Sequence, residues 1–202
     1  MVMNESHDDR GQAFTLEALV AGLLIVGALL FAMQAVVVTP GAPGADIEPE
    51  IRQQTVDLLD IAEEEGSLSE MVRYFDNDSS QTFSGAANPT VGYGSALPDT
   101  RFGTLINETF HQRGKVVNVI VEVPRADEVG SSTHRLIYRG SPPSASTVAS
   151  TTITLYSNQT LTGPNGEDTT LETAAEEGTF PISNVDPDGP LHNVVHVRVI
   201  VW

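Results

Sequence analysis

The sequence predicts an α+β protein with a single transmembrane helix at its N-terminus, then an ectodomain of two or three short helices followed by an antiparallel β-sheet. Three observations carry this. Residues 18–38, ALVAGLLIVGALLFAMQAVVV, hold no charge and one polar side chain, Gln34; at about 1.5 Å per residue they span about 30 Å, the thickness of a bilayer's hydrocarbon core. Between residues 50 and 112, apolar side chains recur at helical spacing. Beyond Gly114 the period changes to two, the signature of strands.

The chain divides accordingly. Residues 1–11, MVMNESHDDRG, form a hydrophilic leader, 12–38 carry the membrane helix, 39–49 form a linker, and 50–202 form one ectodomain long enough for a real core. A secretory signal would have a basic start, a shorter apolar run and a small-residue cleavage site after it. Here the run is longer and only Ala42 or Ala45 offers a weak site, so the helix reads as retained. The linker TPGAPGADIEP contains three prolines and two glycines, which end the helix and make a stiff, extended connection.

In the ectodomain, Ile51, Thr55, Leu58, Leu59 and Ala62 share one face of an amphipathic helix ending near Gly66. Ser67 with Glu70 reads as a capping box opening a second helix with Leu68, Met71, Val72 and Phe75 on its apolar side. Residues 76–99 are rich in Ser, Asn, Gly and Pro and read as a long surface loop, with Tyr93 at a mobile tip. A helix over 100–112 carries Phe102, Leu105, Ile106 and Phe110, with Gly114 fitting its end. Strands follow at 116–123, 134–139, 147–156 and 194–202, with weaker ones at 159–162 and 169–171 flanking a turn at 164–166. The last strand is so apolar that it belongs inside the sheet rather than at an edge.

Composition narrows the function. The formal net charge is -17, and Lys115 is the sole lysine among ten basic residues, which leaves no basic patch for nucleic acid. Such an acidic, lysine-poor surface suits high salt, where self-repulsion is screened. There is no cysteine, so disulfides, thiolate catalysis and Cys-bound metals are excluded. No nucleophile elbow or phosphate-binding loop occurs; nothing predicts an enzyme or a cofactor.

The residues RGQAFTLEALVAGLLIVGALL (10–30) resemble the N-terminal signal of type IV pilins and pilin-like proteins, and the acidic composition adds a resemblance to haloarchaeal members of that group. The resemblance implies cleavage by a prepilin peptidase in the context Arg10-Gly11-Gln12, after Gly11. Glu17, the lone acid at the head of the helix, would then meet the N-terminal amine of a neighbouring subunit; alternatively it is a solvated acid complementing the helix dipole. Cutting there makes Glu17 the sixth mature residue, where the family pattern has its acid fifth, and the leader is acidic where the pattern is basic. Ala18 and Gly22, and Ala28 and Ala32 with Gly27 beside them, make a small-residue face on which helices can pack, although such residues are common in membrane helices anyway. The expected partners are membrane lipid, further copies of the chain or other pilins, the peptidase and the pilus assembly machinery. Arg10 on one flank, with no basic residue on the other until Arg52, orients the N-terminus to the cytoplasm and the ectodomain outward. A non-polymerising anchored binding domain and a membrane-tethered enzyme of unknown chemistry are the other readings; the Pro/Gly linker favours the first of these.

Among smaller motifs, sequons occur at Asn4, Asn77, Asn107 and Asn158, with Asn77 and Asn158 in predicted loop or turn and so the better glycan acceptors. His192 and His196 are four apart and share a face if fully extended, and Asp186 and Asp188 precede them; a turn feeding a polar-faced strand accounts for them better than a metal site. Asp76-Asn77-Asp78 begins like a calcium loop but lacks its glycine and distal glutamate.

Overall fold

The computed structural model describes residues 17–26, 28, 47–125 and 130–202. It separates into two compact units, 1–43 and 44–202. Among the described residues, no helix is long and apolar enough to cross a membrane; most of the 18–38 stretch, Gly27 and 29–38, lies outside them. In the first unit, residues 17–26 are helical.

The second unit is α+β. Its elements are α1 (Ile47–Glu64), α2 (Ser67–Val72), α3 (Arg101–Thr109) with a 3-10 turn at His111–Arg113, β1 (Val117–Pro124), β2 (Ser131–Ile137), β3 (Thr147–Tyr156), α4 (Leu171–Glu176) and β4 (Leu191–Val201). The sheet is four-stranded and wholly antiparallel, in the order β2-β1-β4-β3. As the apolar pattern requires, β4 lies inside it.

Three cross-strand pairs, Val117 with Val201, Val119 with Val199 and Val121 with Val197, join β1 to β4. All six valines are buried, and β-branched pairs suit a pleated surface. The helices pack on this face. α1 presents Thr55, Leu58, Leu59 and Ala62, while Leu68, Met71, Phe102 and Ile106 of α2 and α3 complete the layer. Phe75 fills the next space, with Phe83 at 4.4 Å between ring centroids and Phe180 edge-on at 5.2 Å.

Several local expectations are corrected. The α1 helix begins at Ile47, so Pro49 sits in its first turn, where a missing N–H costs nothing. Ser67 is not a cap: Gly66, left-handed at φ 76°, takes the N-cap position, and the Ser67 hydroxyl donates back to Ala62 O at 3.2 Å. α2 stops at Val72, leaving Phe75 to pair with Phe83 as an isolated bridge. A side-chain cap occurs instead at α3, where Thr100 Oγ1 accepts from Gly103 N–H at 3.2 Å. The weak strands at 159–162 and 169–171 reduce to one bridge, Thr160 with Thr170, because Leu171 opens α4 behind its Thr170 cap.

The loop at 76–99 is not purely superficial, and Tyr93 is no mobile tip. Phe83 and Tyr93 are buried. The Tyr93 hydroxyl donates to Ser84 O and its N–H to Leu136 O at 2.9 Å, and burial raises the phenol pKa. Gly92 allows this: at φ 61°, an added Cβ would lie 2.1 Å from Leu136 O and 2.3 Å from Arg135 O. Gly92→Ala is therefore expected to cost about 2–4 kcal/mol, against about 1 kcal/mol for Gly114→Ala, which is left-handed but open around its Cβ position. Chemical denaturation of the two variants checks the contrast.

Candidate functional site

Two sets of residues bear on function: the N-terminal segment, and polar groups on the surface of the second unit. In the first, Glu17, Ala18, Gly22 and Ala28 are helical and exposed. Leu19, Val20, Leu23, Leu24, Ile25 and Val26 are exposed as well, Leu24 at 69%, so apolar side chains project all round the helix, and nothing comes within 4 Å of the Gly22 Cβ position. Each such leucine or isoleucine is worth about 1.5–3 kcal/mol when removed from water. A helix apolar on every side is stable only in a protein core or a bilayer. Arg10, Gly11, Gln12, Gly27 and Ala32 lie outside the described residues.

The sequons separate by setting. Asn158 is exposed in the turn after β3, and Asn77 is exposed in the segment after α2, its Oδ1 accepting from Thr179 Oγ1 at 2.7 Å. Asn107 is half-buried within α3. Asn4 lies outside the described residues.

The two histidines do not share a face. β4 opposes β3 with a register shift between Leu155 and Tyr156, where Asn193 pairs with Leu155 and Leu191 with Tyr156. His192 is the extra residue of this bulge, which turns it inward. It is fully buried, while His196 is exposed and bonded to Thr152 Oγ1 at 3.0 Å. His192 Nε2 donates to Ile182 O at 2.9 Å and the ring packs 5.6 Å from Phe180; Nδ1 has no hydrogen-bond partner among the described residues. Asp186 belongs to the turn before β4, with its N–H on Asn184 Oδ1 at 2.9 Å.

Asp76 likewise serves the fold. Its Oδ2 accepts from Ser84 Oγ at 2.7 Å and its Oδ1 from Asn165 N–H at 3.1 Å, tying two loops together, while Asp78 Oδ1 accepts from Ser80 N–H at 2.8 Å. Among the described residues, no cluster of three or more His, Asp or Glu is placed to hold a metal. A cleft of about 430 Å³ beside α4 is lined by Gln81, Glu172, Glu176, Phe180, Ser183 and Asn184; among the described residues, the hydrogen bond Ser183 makes is through its carbonyl, which accepts from Asn193 Nδ2, and its hydroxyl is not paired with a base.

Sequence reasoning missed two polar anchors. Asn118, on the sheet face away from the helices, is fully buried beneath the β2–β3 crossing, with Nδ2 donating to Gly140 O and Oδ1 accepting from Arg139 N–H, both at 2.8 Å. An asparagine amid valines in VVNVIVEV was the available signal. On the same face, Glu122 and Arg198 form an ion pair at 2.7 Å.

Taken with its fold, the chain is an α+β domain, helices over a four-stranded antiparallel sheet, that follows an N-terminal apolar segment. It belongs to a family of unknown function, DUF7288, whose model matches residues 10–201 and so takes in the apolar segment and the globular unit together. No curated protein and no solved structure matches it.

Burial lowers the pKa of His192, against smaller opposing effects of the Ile182 carbonyl and Glu172, and it lowers that of His134. Unfolding restores an ordinary value of about 6.5, so below it the unfolded chain binds more protons. Stability is therefore full above that value and falls as pH drops towards the folded-state values. The melting temperature should fall between about pH 7.5 and about pH 5.5, and His192→Gln, which retains a donor towards Ile182, should flatten that dependence.

Proposed function

We propose that the chain is a pilin-like single-pass membrane protein, cytoplasmic at its N-terminus and extracellular in its globular unit, acting as a structural subunit or minor component of a type IV pilus-like filament. The observation that carries this is the uncharged stretch 18–38 with Glu17 at its head and Arg10-Gly11 before it. The outward-facing apolar side chains of residues 17–26 support it, since a bilayer or a bundle of like helices would cover them. The leader is removed after Gly11, and the helix, thereafter headed by Gln12, packs against its neighbours through Ala18, Gly22, Gly27, Ala28 and Ala32. The Glu17 carboxylate faces the new amine of an adjoining copy, which offsets the cost of taking a charge towards hydrocarbon.

The linker favours a second reading. Two prolines and two glycines, Pro40, Gly41, Pro43 and Gly44, precede α1 and interrupt the rigid spine that a filament subunit would use, and a tethered, non-polymerising extracellular domain needs such a joint. N-terminal sequencing of the protein from its native host separates the two: a chain beginning at Gln12 is expected, and one retaining Met1–Gly11 overturns the filament assignment. Exposure of Asn77 and Asn158 supports glycosylation on the outer side. Intact-mass measurement should show added mass lost from Asn77→Gln and Asn158→Gln variants; an unmodified native mass contradicts it.

A further inference from the structure

The two edges of the sheet differ. Along the end of β2 runs the segment 91–93: Gly92 bridges Ile137, and Tyr138 N–H donates to Val91 O at 3.1 Å. The rest of that strand carries His134 and Arg135. β3 has neither protection. Its ten residues, TVASTTITLY, include no charge and no proline, and their register to β4 is regular from Thr147 to Leu155. Among the described residues, the backbone of Thr147–Leu155 bonds to β4 and to nothing else, so alternate N–H and C=O groups face outward. The open stretch ends where Tyr156 N–H donates to Gln159 Oε1 at 3.0 Å. A long, regular, uncharged edge is a template for another strand.

We propose that this edge pairs with β3 of a second copy of the chain, antiparallel and centred on Thr152. With a net charge of -17, copies repel over most of their surface, and β3 is a strip where that repulsion is small. The side chains select the centre. Val148 and Tyr156 are 42% and 47% exposed, and pairing about Thr152 sets Val148 against Tyr156 of the second copy, a favourable β-branched–aromatic pair. Ser150 then meets Thr154, and the two Thr152 residues face each other. Every other centre separates Val148 from Tyr156. Beside the start of the strand, Glu48, Pro49 and Arg52 of α1 with Ser146, Thr147 and Val148 line an open groove of about 550 Å³, which leaves room for an added strand. Glu63 stands near the centre, its Oε2 accepting from Thr151 Oγ1 at 2.9 Å; the two carboxylates of a pair repel, so association strengthens as salt shortens the screening length to about 3 Å at 1 M.

This inference does not rest on the membrane reading, because β3 lies in the globular unit. The absence of cysteine makes a single introduced thiol a unique reporter. In the full chain under mild oxidation, Thr152→Cys should form a disulfide dimer at least about tenfold faster than Ser150→Cys or Thr154→Cys, since facing positions are about 5 Å apart and the others about 14 Å. Mixing Val148→Cys with Tyr156→Cys should give a heterodimer that neither forms alone, with yield rising between about 0.1 M and about 1 M salt. All these positions are exposed, so the fold tolerates the changes. Equal rates at 150, 152 and 154, or no dimer from the mixed pair, overturn the proposal and leave the edge to another chain or to solvent.

Discussion

The globular unit depends on the valine floor where β1 meets β4. Val117, Val119, Val121 and Val123 from one strand and Val195, Val197, Val199 and Val201 from the other are all buried, and six of them form three direct pairs across the strands. These residues are distant in sequence, so neither strand can bury its apolar row until the other arrives. Once paired they form a surface of β-branched side chains on which α1, α2 and α3 can only lie flat. Each valine contributes about 1.5–3 kcal/mol of burial, and most of that is lost if the two strands separate.

Several features follow from that pairing. With β1 and β4 at the centre, β2 and β3 must be edges, and the chain must cross the sheet to pass between them. The crossing covers Asn118, whose amide satisfies the backbone of Arg139 and Gly140 and so removes the cost of an irregular segment over the sheet. Covering the β2 edge requires the loop after α2 to come within contact of Leu136, which only Gly92 permits. At the far end of β4, the bulge at His192 turns an imidazole inward where regular alternation would turn it out, and the Ile182 carbonyl is there to receive it.

Much of this was legible in the sequence. The period change after Gly114 placed all four strands, because alternation is a local property, and the apolar character of 194–202 placed β4 inside the sheet. Helical spacing located α1 and α3 for the same reason. Much of what escaped depends on distant chain, though the cap expected at Ser67 and α4 are local. Ser67 looked like a cap until Gly66 took the position with a left-handed turn; Tyr93 looked mobile because its partners, Ser84 and Leu136, are remote or lie in a strand. The His192–His196 spacing misled because a bulge is set by the opposing strand. α4 did carry a local signal, Ala and Glu behind a Thr cap with Gly178 after it, which the threonine-rich run before it obscured.

On the functional side, the two proposed readings share one requirement: residues 18–38 must lie in a bilayer, as the anchor of a tethered domain or as the stored subunit before assembly. The exposure of Leu19, Val20, Leu23, Leu24, Ile25 and Val26 makes the physical demand plain, since these side chains gain from any apolar surroundings. Alkaline-carbonate extraction of membranes from the native host, after surface filaments have been sheared away, tests this directly. A single-pass anchor stays with the membrane and is released only by detergent; release of the chain by carbonate alone would contradict the proposed anchor and both functional readings built on it.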